Sequence, residues 1–182
     1  MGGEEHMTTS DREGMNLIGV ISDTHGLLRP EALRALWGAE LLLHAGDIGA
    51  PAVIANLRAL APVMAVRGNC DRGAWAEAYP LRREVTVGGV SILVLHDRNE
   101  LKSHPPGEGV RVVISGHSHK ASIEEKDGVL YLNPGSAGPR RFKLPLTVAR
   151  LTVHGGQVSA EIVDFEPVAV GFIDMGNGRH ER

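Results

Sequence analysis

Apolar residues along this chain fall into short runs bounded by glycine, proline and charge, and many runs are too continuous for half-exposed strands. "LIGVIS" (17–22), "ELLLHA" (40–45), "PVMAVR" (62–67), "SILVLH" (91–96) and "RVVIS" (111–115) predict buried strands. Helical patterns separate the first three. "PEALRALWG" has proline in its first turn and glycine at its end, and "PAVIANLRAL" spaces its apolar residues by three and four. Strand, helix, strand, helix, strand implies parallel pairing with right-handed crossovers. From Ala121 onward the pattern changes, with Asp127-Gly128 and Gly155-Gly156 each lying between strand-like runs as hairpin turns do. The prediction is a mixed sheet, or two packed sheets, flanked by helices.

Composition narrows this little. A chain of 182 residues suits one domain, and its 42% hydrophobic and 23% charged content is ordinary for a globular protein. The expected division is a flexible N-terminal extension over 1–14, a single domain over 15–174 and a flexible tail over 175–182. No long apolar run follows the polar start, so neither export nor membrane insertion is expected. The single cysteine rules out an internal disulfide and fits a reducing, cytoplasmic compartment. A net charge of -3 and 4% aromatics offer no general attraction to nucleic acid and no base-stacking platform.

Candidate chemistry changes the picture more. Each of the five strands ends on, or leads at once into, a residue able to bind a metal: Asp23 and His25, Asp47, Asn69, His96, then His117 and His119. Carboxyl ends of strands in an open α/β sheet share one crevice, so these residues would converge. Singly each has an ordinary reading. "SDTHG" can be a turn, "AGD" a helix cap and His96 a satisfied core histidine. Their common polarity favours a metal site. A mixed imidazole and carboxylate set suits manganese, iron, cobalt, nickel or zinc better than an all-oxygen ion such as magnesium, which remains an alternative. Mn2+ is the first expectation, as one of two divalent ions.

"DTH", "GD", "GNCD", His96 and "GHSH", in that order, resemble the signature of the calcineurin-like metallophosphoesterases. The likeness is greatest to the small single-domain YfcE-like phosphodiesterases, where the cysteine form of the third motif and a later "NPGS" are usual. It spans about residues 15 to 165. The resemblance implies an α/β (α+β) metallo-dependent phosphatase fold, a four-layer α-β-β-α sandwich of two mixed β-sheets flanked by helices. It also implies that Asp23, His25, Asp47 and His119 hold one metal, and Asp47, Asn69, His96 and His117 the other. The implied reaction is phosphodiester hydrolysis by in-line attack of a metal-bridging hydroxide, with Asp47, Asn69 and His96 as catalytic residues and a small phosphoester as substrate.

Two features depart from the family pattern. Cys70 stands where the wider superfamily commonly has a histidine beside the leaving oxygen, and a thiol is a poor general acid at neutral pH. It is read as shaping the pocket rather than as a nucleophile. After His96, where the family usually has glycine and a helix, "DRNELKSHPPGEG" brings Asp97 and a double proline, implying a short or absent crossover helix. Softer candidates are Asp71, as orienter of a ligand histidine or a turn residue, and His44, as second shell or core. Arg140 or Arg141 in "NPGSAGPRR" would meet a substrate phosphate or be solvated surface charge. His6, His104, His154 and His180 have no supporting neighbours and are expected to be exposed.

Three functions compete: a metal-dependent phosphodiesterase, a protein-interaction scaffold of the same fold like the small retromer subunit, and a nuclease. The filled ligand set favours the enzyme. A nuclease would be expected to show a basic groove or capping domain, and neither is evident in the sequence. The resemblance leaves a homo-oligomer open, since relatives often self-associate.

Overall fold

The computed structural model describes residues 14–166. The expected boundary at 174, the tail, residues 1–13 of the extension, His6 and His180 lie outside them. Strands β1 (Met15–Ile21), β2 (Leu41–Ala45) and β3 (Val63–Val66) pair in parallel, Ile18 opposite Leu41 and Leu42 opposite Val63. Helices α1 (Pro30–Ala35) and α2 (Pro51–Arg58) connect them, each with its proline at the start. β2 is apolar apart from His44 because both its faces are covered. Leu43 and Ala45 enter the core between the sheets, while Leu42 packs under the helices beside Val53, Ile54 and Leu57. Truncating such a leucine costs roughly 2–5 kcal/mol.

The predicted Gly155-Gly156 hairpin joins β9 (Leu146–His154) to β10 (Gln157–Phe165), and β9 runs antiparallel to β1. The first sheet is thus ordered β10-β9-β1-β2-β3. The second contains β4 (Arg82–Val87), β5 (Val90–Leu95), β6 (Val110–Ile114), β7 (Ser122–Lys126) and β8 (Val129–Asn133), in the order β4-β5-β6-β8-β7. β5, β6 and β8 are parallel, with β4 and β7 antiparallel at the edges. β4 was not among the predicted strands, although Gly88-Gly89 marks its hairpin with β5.

The sheets pack face to face around Ile18, Val20, Leu43, Ile92, Val94, Val112, Ile114 and Leu151. Helices cover the outer face of the first sheet. The fourth layer is thin: between β5 and β6 lies a 3-10 turn, Arg98–Lys102, whose Leu101 packs on Leu93, Leu95, Val110 and Val113. This is the short crossover that the double proline implies. Among the described residues no helix is long and apolar enough to cross a membrane.

Candidate metal centre

The five chemistry-bearing strand ends come from both sheets, not from one open sheet. Loops after β1 and β2 are laced together, Asp23 N–H donating to Gly46 O at 3.0 Å and His25 N–H to Asp47 O at 2.9 Å. From the second sheet, His96 Nδ1 donates to Ala45 O at 2.7 Å and His117 N–H to Asp23 Oδ2 at 3.1 Å. The "NPGS" loop supports the first loop from below, through Ser136 Oγ to Asp23 O at 3.1 Å and Ala137 N–H to Ser22 O at 3.1 Å.

This lacing demands unusual backbone. Asp23, His25, Asp47, His117 and His119 all have positive φ, between 45° and 66°. Non-glycine residues seldom take this conformation, and it gathers where surrounding structure enforces it for function. Two glycines make room: a Cβ on Gly68 would collide with the Asp47 carboxylate, and one on Gly116 with Ser22 and Asp23.

Both buried carboxylates are held by one oxygen and leave the other to the cluster. Asp23 Oδ2 accepts from Ser22 Oγ at 2.5 Å and from His117 N–H, whereas buried Oδ1 has no hydrogen-bond partner. Asp47 Oδ1 accepts from Cys70 N–H at 2.8 Å, leaving Oδ2 to face His96 and His25. His119 Nε2 lies 3.2 Å from Asp23 Oδ1, His96 Nε2 lies 3.4 Å from Asp47 Oδ2, and His25 Nε2 lies 3.4 Å from His119 Nε2. Two ligands about 2.1 Å from one tetrahedral ion lie about 3.4 Å apart, so these spacings fit shared coordination. His96 is set for it, since its Nδ1 proton is engaged and buried Nε2 has no partner. His119 Nδ1 is also buried without a partner, for which the structure offers no reason.

Asn69 and His117 form the exposed side of the cluster, Asn69 Oδ1 lying 3.2 Å from His117 Nδ1. The His117 ring meets the His96 ring edge-on at 5.2 Å. Cys70 is exposed, with its sulfur close enough to join His25 and Asp47 in one ligand group. Arg141 Nη2 reaches within 3.5 Å of His25 Nε2, but Arg140 is engaged with Glu166 at 2.6 Å. His104 and His154 are exposed, as expected.

Burial opposes ionisation of Asp23 and Asp47, yet both carboxyls are held below their ordinary range. The nearby His119 ring and the Ser22 hydroxyl outweigh burial at Asp23, and the nearby His96 ring and the Cys70 backbone N–H do so at Asp47. Burial lowers His25, whereas Asp47 and the Ala45 carbonyl raise His96 despite its burial. The site is therefore a small anionic cup lined by imidazoles, suited to cations.

Two supporting residues behave differently from one another. Asp71 binds no histidine, contrary to the orienting role considered for it: its oxygens accept from the N–H groups of Ile48 (3.1 Å), Gly49 (2.7 Å) and Gly68 (2.8 Å). Three backbone donors from two loops compete better for one short carboxylate than a distant ring. Fully buried His44 does act beneath the site. Its Nδ1 accepts from Gly46 N–H at 3.2 Å, so Nε2 carries the proton and donates to Thr24 Oγ1 at 2.9 Å, which donates to Ile48 O at 2.9 Å. Burial pushes His44 down to about 4, keeping it neutral. Sequence reasoning passed over Ser22, Thr24 and Asn133. Asn133 Nδ2 holds the turn of His117 through Gly116 O at 2.8 Å and Ser118 Oγ at 3.1 Å, a role signalled only by its place in "NPGS".

Known proteins resemble this chain in sequence and in fold. A sequence profile described as the calcineurin-like phosphoesterase superfamily domain matches residues 15–156. A Methanothermobacter thermautotrophicus protein named "probable metallophosphoesterase" is 38% identical over 159 residues, covering 81% of this chain and 91% of that one. The structure of Vps29 from Entamoeba histolytica complexed with Zn2+ is 25% identical, covers 82% of this chain and 99% of its own, and has a TM-score of 0.62. A structure described as that of a novel archaeal phosphodiesterase shares the fold, at 23% identity and a TM-score of 0.64, covering 81% and 99%.

Proposed function

Since the chain belongs to the calcineurin-like phosphoesterase superfamily, we propose that it is a dinuclear phosphodiesterase that uses Mn2+ to hydrolyse small phosphodiesters in the cytoplasm. The observation that carries this reading is the pairing of free carboxylate oxygens with inward-facing ring nitrogens at 3.2 to 3.7 Å. Asp23, His25, Asp47 and His119 would hold one ion, and Asp47, Asn69, His96 and His117 the other. When bound, such a pair lowers the pKa of a shared water and shields phosphoryl oxygens.

The chain's own groups do the rest. Asp47, fixed through Oδ1, presents Oδ2 to both halves of the cluster. Asn69 adds a neutral carbonyl, so the rim facing a phosphate gains no negative charge. Arg141, at the exposed edge beside His25, binds the non-bridging phosphoryl oxygens. One arginine matches the single negative charge of a diester better than the double charge of a monoester. Partial desolvation and the neighbouring Asp47 raise the Cys70 thiol, which leaves it protonated and unsuited to attack.

Hydrolysis of bis(4-nitrophenyl) phosphate tests the reading. Exhaustively chelated protein should be inactive and Mn2+ should restore turnover, with 4-nitrophenyl phosphate hydrolysed more slowly. Full activity in protein shown by elemental analysis to be metal-free would overturn it.

A further inference from the structure

We propose that the cleft of about 780 Å³ on the outer face of the second sheet is a subsite for a leaving group that carries a second negative charge. The inference rests on the phosphodiesterase reading. Asp97, Gly116 and His117 line the near end of the cleft, which makes it continuous with the rim of the metal cluster. The cleft exists because the crossover after β5 is only the short turn Arg98–Lys102, which leaves the outer face of β7 and β8 uncovered.

Its charge is not neutral. Arg98, Lys102, Lys120 and Lys126 line it against Asp97 and Glu124. Glu124 is committed to Arg98 at 2.9 Å, and the guanidinium lies 4.3 Å from the centre of the Tyr131 ring. Asp97 is committed as well, accepting from Asn99 N–H at 2.9 Å and facing His117 Nε2 at 3.9 Å. The three lysines are exposed and, among the described residues, form no ion pair. In a chain of net charge -3, this concentrates unpaired positive charge beside a site built for phosphate esters. Flexible ammonium groups suit a phosphate or carboxylate held as a point charge, and the stacked Arg98 and Tyr131 side chains form part of the wall along which the connecting part of the substrate would lie. Hydrolysis breaks the bond from phosphorus to that group's ester oxygen, water supplying the new oxygen on phosphorus and a proton to the departing alkoxide.

Thymidine dinucleotide and its 5′- and 3′-phosphorylated forms provide the test, with saturating Mn2+. One phosphorylated form should exceed the plain dinucleotide in kcat/KM by about tenfold or more, mainly through KM, and the advantage should shrink in high salt. In the triple variant Lys102→Ala, Lys120→Ala, Lys126→Ala the ratio should fall to within about twofold. Calorimetry with pyrophosphate and metal-free protein reads the cleft without catalysis, and the same variant should bind about tenfold more weakly. Equal kcat/KM for all three substrates, or a preference that survives in the variant, would overturn the subsite. If neither bis(4-nitrophenyl) phosphate nor any dinucleotide is hydrolysed while pyrophosphate binding depends on the lysines, the phosphodiesterase reading falls and the anion site stands. A long single-stranded oligonucleotide outpacing the phosphorylated dinucleotide by about a hundredfold would put a polymer in the cleft and overturn the small-substrate form.

Discussion

His44→Gln, in chelated protein, should uncouple acid sensitivity from the loops that carry Asp23 and Asp47. Folded His44 titrates at about 4 against 6.5 for an ordinary histidine, because burial excludes the charged form, although Asp71, Asp23 and Asp47 pull the other way. The unfolded chain binds the extra proton between those values. Stability from this group is therefore complete above 6.5 and is lost as pH falls toward 4. Integrating that difference gives a loss of about 2.5 kcal/mol between pH 7.5 and pH 4.5. Glutamine keeps an amide donor and acceptor but does not titrate, and imperfect bonds to Gly46 and Thr24 should cost about 1–3 kcal/mol at both pH values. Urea unfolding of both proteins at the two pH values gives the double difference. Other groups, such as His25, also titrate in the wild type, so only the difference in pH response belongs to His44. A variant losing as much stability on acidification as the wild type would refute the buried, neutral histidine.

Asp47→Ala should be the most damaging single substitution, lowering kcat/KM by about four orders of magnitude or more together with metal content, whereas exposed His104→Ala should change neither by more than about twofold. Cys70→Ser should keep metal binding and most activity, because the contact made to Asp47 comes from the backbone N–H, and a loss of about four orders of magnitude with metals bound would make the thiol chemical. With no imidazole acid at position 70, aryl diesters should outrun alkyl diesters, and equal rates would argue against this account. Arg141→Ala should raise KM by roughly tenfold, while Arg140→Ala, which only frees Glu166, should leave it unchanged in steady-state kinetics.

Much of this site was legible because its residues follow strands that announce themselves. "ELLLHAGD" can be little else than a strand buried on both faces with a carboxylate at its end, and the structure places Asp47 there. Thinning of the crossover after His96 was also readable, since two prolines cannot continue a helix. Strand β4 was less visible: Val85 is buried, but its neighbours Glu84 and Thr86 are exposed, as on a sheet edge, so no apolar run marked it. The assignment of β5 and β6 to a second sheet depends on side chains from distant strands meeting across the core, which no local pattern encodes. Asp71 was left between a histidine orienter and a turn residue for a similar reason. Its partners Ile48 and Gly49 are backbone groups, and backbone donors leave no trace in residue type.

The pairing of β1 with β9 joins Val20 to Ala149, so the strand leading into Asp23 borrows one flank from a segment made far later. During synthesis β1 can acquire β2 early, but its other edge stays bare until Leu146–His154 leaves the ribosome. Ser136 and Ala137, which brace the loop of Asp23 and His25, arrive only shortly before that strand. A nascent chain stalled before it would therefore expose an open sheet edge and an unbraced ligand loop, making it both adhesive and a poor metal trap. Competence to hold metal is thus acquired only once that late strand has closed the sheet.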